Sequence, residues 1–313
     1  MKNGNRFLKK VGRNREEMIL HSIKKETIYT AIDELNKEGY SILALCEFAG
    51  IARSSYYKWL NKDETVRDKE NTAIKNEIIK VYNEVNGIYG YRRMTMNINR
   101  VLKKTYNYKR IYRLMNSLKL KSVIRRKKKR YIKSTPQITA ENILNRNFSE
   151  ATPNKKWLTD VTEFKLMNGT KAYLSAILDL GDNSIVSHVL GRSNNNQLVF
   201  DTLDLATKNN PTAKPIFHSD RGFQYTSKIF KSKLDNISAT QSMSRVGRCI
   251  DNGPMEGFWG SLKSEMYYLK KFQTFDELKL AIDNYIDFYN NKRLQKKLKG
   301  LSPMEYREQT LVA

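Results

Sequence analysis

Cysteine is nearly absent: the 313 residues contain two, Cys46 and Cys249, far apart and without a CxxC spacing. That excludes a disulfide framework and a cysteine-held zinc site, and it fits a reducing, cytoplasmic setting. Histidine is also scarce, with 3 residues and no pair at helical spacing, which leaves imidazole-held zinc without ligands. No apolar run approaches the roughly 18 residues that a spanning helix needs, and the basic N-terminus lacks a signal-type apolar core. Membranes are therefore not expected as partners. Acids, finally, are missing where cations crowd: Val85 to Ala140 holds no Asp or Glu but 17 Lys and Arg.

What is present is positive charge. The chain carries 57 Lys and Arg against 32 Asp and Glu, a formal net charge of +25. Such an excess suits a polyanion, because attraction to phosphates does not depend on sequence. A nucleic acid is the expected partner.

The N-terminal part reads as helical. Residues 1–14 are basic and polar; from Lys25, Ile28, Ala31, Ile32 and Leu35 recur on one face and predict a helix ending at Gly39. SILALCEFAGIARSSYYKWL then predicts helix, turn at Gly50, helix. This layout can place a second helix in a major groove, although an ordinary helical hairpin has the same pattern. After a charged connector at 61–69, Ile74–Val85 is amphipathic, and GIYGYRR with Arg92 and Arg93 leads a helix to Lys104. Tyr108–Leu120 sets Ile111, Leu114, Met115 and Leu118 at core spacing, with Lys109, Arg110 and Arg113 interleaved. Recognition-helix candidates are therefore Arg53–Trp59 and Tyr108–Leu118. Arg125, Arg126, Lys127, Lys128, Lys129 and Arg130 follow as six consecutive basic residues, expected to touch phosphates without reading bases.

Past a linker, strands are predicted at Lys156–Met167, Lys171–Leu180, Ile185–Leu190, Pro215–Ser219 and Ala239–Ser244. Asn168-Gly169 marks a hairpin. Helices are predicted at Asn195–Lys208, Ser227–Leu234, from Glu256 to about Tyr268, and at Phe275–Tyr289. The result is an α/β fold, a mixed sheet flanked by helices, preceded by all-α modules. Five segments are expected: 1–63, 64–133, a linker at 134–153, a catalytic core at 154–272 and a helical extension at 273–313.

Three acids carry the candidate chemistry. Asp160 lies mid-strand in WLTDVTEF, Asp220 closes a strand in FHSDRGFQY, and Glu256 falls in the first turn of a helix after Gly253-Pro254. Thirty-five residues separate the last two. Carboxylates on separate elements suit a hard divalent cation such as Mg²⁺, and two such ions can clamp both oxygens of an in-line phosphoryl displacement. Lys263, two turns beyond Glu256 on the same face, is placed to reach a phosphate. Glu265 falls on the opposite face and is expected at solvent or an interface. Asp251 is expected to cap the helix together with Asn252, Asp179 and Asp182 to end a strand and start a turn, and His218 to be structural.

Read together, WLTDVTEF, FHSDRGFQY and SRVGRCIDNGPMEGFWGSLKSE resemble the three catalytic motifs of the IS3-family transposases, the large OrfB-type protein of the retroviral-integrase superfamily. GIYGYRR and YIDFYNNKRLQKKLKGLSPMEY extend the resemblance across most of residues 40–308. It implies an RNase H-like core with Asp160, Asp220 and Glu256 as catalytic triad and metal ligands. It also implies Mg²⁺ (or Mn²⁺) as cofactor, Lys263 as the family's basic residue seven after the glutamate, and assembly as a homo-oligomer on DNA. Gly257 stands where the family often has serine. Family members often act fused to a small upstream helix–turn–helix protein with a leucine zipper; no heptad seam occurs here. An RNase H-like nuclease that cuts without joining, and a DNA-binding regulator without catalysis, are the rival expectations.

Overall fold

The computed structural model describes residues 25–61, 65–124, 141–145, 147–148, 150, 152–245 and 249–312. The Arg125–Arg130 run and the 1–14 tail lie outside them. The chain divides into two compact units, 1–73 and 74–313.

The first unit holds α1 (Lys25–Lys37), α2 (Ile42–Ala49) and α3 (Arg53–Leu60). Gly50 ends α2 in the left-handed region, φ 67°, with its N–H returned to the helix, which a residue without Cβ does at little cost. Ile28, Ile32, Leu35, Leu45 and Tyr56 close a small core. Tyr56 is the buried residue of α3, and Arg53, Tyr57 and Lys58 are exposed.

The second unit takes in most of α4 (Val66–Glu84), then α5 (Tyr91–Val101) and α6 (Tyr108–Ser117). α4 starts inside the charged connector, earlier than its apolar pattern predicts. The Thr65 hydroxyl accepts from the Asp68 N–H and the Asp68 carboxylate from the Thr65 N–H, a reciprocal cap that begins the helix ahead of its buried residues. Ile74, Ile78, Met94, Ile98, Ile111 and Met115 form the core of these helices, and Phe288 packs against it.

The sheet comprises β1 (Lys156–Lys165), β2 (Lys171–Asp179), β3 (Ile185–Gly191), β4 (Ile216–Ser219) and β5 (Thr240–Met243), in the order β3-β2-β1-β4-β5. β1 pairs antiparallel with β2 and parallel with β4. The Asn168-Gly169 hairpin forms as predicted, with Gly169 at φ 83°. Alternation along β1 feeds two cores. Leu158 and Phe164 join Met255, Phe258, Leu262 and Ile282 on one face; Trp157 joins Val199, Leu203, Phe217 and Phe230 on the other. Four helices supply these layers: α7 (Asn196–Asn209), α8 (Lys228–Asn236), α9 (Gly253–Glu265) and α10 (Phe275–Asn291), with α11 (Pro303–Val312) last. This mixed sheet between helices is the RNase H-like core that the motifs imply. The expected linker is partly structural: Leu144 is buried and its N–H donates to the Ser242 hydroxyl of β5.

Candidate active site

Register brings the first two acids together. β1 and β4 are parallel neighbours in which Leu158 pairs with His218. Two residues further on come Asp160, still within β1, and Asp220, one residue past the end of β4. Asp160 shares a face with Leu158 and Phe164, the face that α9 covers.

The third acid arrives from that helix. Pro254 sits in the first turn of α9, where its missing N–H costs nothing, and Glu256 follows in the same turn, exposed. The helix grips β1 at two points. The Asn252 side-chain amide donates to the Thr159 carbonyl at 3.0 Å; the Trp259 indole N–H donates to Asp160 Oδ2 at 3.0 Å.

Electrostatics report the convergence. The Asp160 carboxyl is pushed up to about 7, first by burial, then by Asp220, and in smaller part by Glu256. N–H donors from Val161 and Trp259 oppose the rise. Asp220 is also raised by desolvation, against the Gly222 N–H that donates to Oδ1 at 2.8 Å. Its side chain is open to solvent, so the crowding protein around it displaces only part of its water.

Among the described residues no group of three or more His, Cys, Asp or Glu is gathered closely enough to enclose a metal ion. The donor chemistry nevertheless fits a hard cation: three carboxylates, the first bearing the electrostatic cost of its neighbours and each rich in lone pairs. Asp160, Asp220 and Glu256 are the residues that would hold Mg²⁺.

The flanking residues divide. Lys263 stands with Nζ 5.2 Å from the Phe164 ring centroid, along β1 from Asp160. Arg92, Lys109 and Arg113 are exposed; Arg92 lies over the Tyr91 ring and half-buried Arg110 over Tyr106. Arg93 is less open: its side chain is 24% exposed, lies over Tyr89 and pairs with Glu265 at 3.4 Å. Glu265 is itself a correction. It does lie opposite Glu256, but that face of α9 is the buried one, where Glu265 takes Arg293 at 2.7 Å and the Tyr285 hydroxyl at 2.9 Å.

Asn252 occupies the N-cap position but makes no side-chain cap bond. Asp251 is buried and accepts from Asn142 and from the Arg245 backbone and guanidinium. Asp179 and Asp182 are buried too, tied by Arg307 of α11. His218 is structural, held by the Ser242 and Ser244 hydroxyls and pushed down to about 4 by burial. Sequence reading missed Trp259, although it stands three residues after Glu256, on the same helical face, and gave Asn252 a capping role rather than its bond to β1.

The HTH-like domain family model matches residues 69–128, and Integrase core domain models match 150–249 and 256–311. An Escherichia coli K12 protein named as the transposase InsK for insertion sequence element IS150 is 42% identical over 278 residues, covering 88% of this chain and 96% of that protein. A Haemophilus influenzae transposase-like protein is 43% identical over 218 residues, covering 70% of this chain and 100% of its own length. Among solved structures, the HTLV-2 integrase catalytic core in complex with magnesium aligns with a TM-score of 0.41 at 19% identity, covering 51% of this chain and 99% of that one.

Proposed function

The chain belongs to the insertion-sequence transposases with an integrase core domain, and from that premise we propose that it hydrolyses the 3′ ends of its element and joins them to target DNA. One observation carries the reading: Asp160 in β1 and Asp220, just past the end of the parallel neighbour β4, lie two residues beyond the Leu158–His218 pair, and the helix bearing Glu256 is bonded to Asp160 itself. In the first step a water oxygen bonds to phosphorus and the bond to the element's 3′ oxygen breaks, leaving a 3′-OH. In the second that hydroxyl attacks a target phosphodiester, and the target's own 3′ oxygen leaves. Asp160 and Asp220 hold the metal, Glu256 completes the site, and Lys263 contacts a nearby phosphate. Bound Mg²⁺, or Mn²⁺ in its place, supplies Lewis-acid stabilisation of the phosphoryl oxygens.

DNA is gathered by the helical modules. Arg53, Arg92, Lys109, Arg110 and Arg113 contact the duplex, joined by the Arg125–Arg130 run. Among the described residues no helix is long and apolar enough to cross a membrane, and the chain works in the cytoplasm on DNA, as a homo-oligomer, with or without a small upstream helix–turn–helix partner.

The test is substitution of each acid. Asp160→Asn, Asp220→Asn and Glu256→Gln should each abolish cleavage of end-containing DNA, by at least a thousandfold, while leaving DNA affinity intact. Activity should require Mg²⁺ or Mn²⁺ and yield joined products as well as cut ones. Any of these variants cutting at near wild-type rate removes that residue from the site; hydrolysis without joining favours a simple nuclease.

A further inference from the structure

We propose that Trp259 is a positioning residue of this site: its indole N–H fixes one oxygen of Asp160, so that the carboxylate meets a divalent cation already oriented. The inference rests on the reading of Asp160 as a metal ligand.

Asp160 has two partners. Oδ1 accepts from the Val161 backbone N–H at 2.8 Å, and Oδ2 from Trp259 at 3.0 Å. The first bond is local to the strand and ties the carboxylate only to its own backbone. The second crosses to the helix that carries Glu256 and couples the two acids. Trp259 is 6% exposed and packs against Phe258 with ring centroids 5.0 Å apart, so its donor has little freedom to look elsewhere. Asn252, on the other side of Glu256, binds the Thr159 carbonyl, one residue before Asp160. Glu256 is thus bracketed by two bonds that hold its helix on the strand of the first acid.

Burial alone does not demand such a partner. The Trp157 indole N–H is buried with no hydrogen-bond partner among the described residues. A carboxylate oxygen, moreover, has two lone-pair sites: each oxygen of Asp160 can accept an N–H and still offer an electron pair to a cation. Partners behind a ligand fix its orientation, and their loss typically lowers metal affinity about 10–100-fold.

The experiment measures Mn²⁺ binding to the purified full chain without DNA, by the electron paramagnetic resonance of free Mn²⁺. Two variants are compared with wild type: Trp259→Phe, and the chain with benzothienylalanine at 259, which keeps the bicyclic shape but replaces N–H by sulfur. Both should bind Mn²⁺ about tenfold more weakly, with the metal-free thermal midpoint of the benzothienyl chain and its DNA affinity unchanged. Cleavage should fall at limiting Mn²⁺ and recover at saturation, a split that a purely structural role would not produce. Wild-type Mn²⁺ affinity in the benzothienyl chain overturns the proposal, whether or not Trp259→Phe folds. Asp160→Asn separates the two readings. If it too binds Mn²⁺ as wild type does, Asp160 is not a ligand and both fall; if it loses binding while the position-259 variants keep it, only the role of Trp259 falls.

Discussion

Asp160 shows what it costs to gather acids before a cation arrives. Its carboxyl is raised to about 7, against about 3.9 in an unfolded chain. Between those values the folded state holds a proton that the unfolded state has released. Stability therefore falls as pH rises through that window. Asn at 160 has no such dependence, although its amide cannot accept from both Val161 and Trp259. In metal-free melts, the stability of Asp160→Asn relative to wild type should rise by roughly 1–3 kcal/mol from pH 4 to pH 8, less than the full shift because water reaches part of the site. Mg²⁺ should stabilise wild type at pH 8 and leave the variant unmoved. A flat difference across pH would mean that neither burial nor the neighbouring acids raise this carboxyl. The local placement of Asp220 and Glu256 was legible in the sequence, because the apolar run before Asp220 marks a strand and Gly253-Pro254 a helix start. Trp259 was not, because a tryptophan on a helix reads as core until the strand opposite it is known.

α9 is a helix with two ends that do different work. Its first turn presents Glu256 to solvent; its last buries Glu265 among Arg293, Arg93 and Tyr285. The Glu265 carboxyl is lowered despite burial because the Arg293 hydrogen bond and charge, then Arg93, outweigh desolvation. A depressed glutamate gives stability that is present above its unfolded range and lost as pH falls through the folded value. Removing its main partner exposes the balance: Arg293→Met should destabilise the chain by about 3–5 kcal/mol, since a buried carboxylate is left short of charge. Chemical denaturation checks this, and adding Glu265→Gln should restore part of the loss. If Arg293→Met costs nothing measurable, the network is not what holds α9. Strand bounds were readable to within a residue or two because alternation of Leu158, Asp160 and Phe164 survives burial on one face. Glu265 was misread for a physical reason: helical spacing tells which face a residue takes, but not what covers that face.

Across the whole molecule, charge and packing answer different questions. The helices from Ile74 onward belong to one compact unit with the sheet. Arg93 reaches Glu265, Arg100 reaches Glu305 at 2.9 Å, and Tyr89 meets Phe288 with ring centroids 6.3 Å apart. A cut at 133, where composition places a boundary, would sever all three contacts, so gathering and reading of DNA are best separated by substitution in the intact chain. Replacing Arg125, Arg126, Lys127, Lys128, Lys129 and Arg130 together by Gln removes up to six phosphate contacts. The slope of log affinity against log salt should shallow by at most about 5, at about 0.9 per contact. Affinity should fall alike for element ends and scrambled DNA, because phosphates carry no sequence. Arg53→Ala, or Lys109→Ala with Arg113→Ala, should instead narrow the preference for element ends about tenfold or more, as loss of a base contact does. Competition binding at a fixed, stated salt concentration distinguishes the two. If the Gln run erases the preference for ends while non-specific affinity and salt slope stay at wild-type values, the basic run reads sequence and this division of labour is wrong.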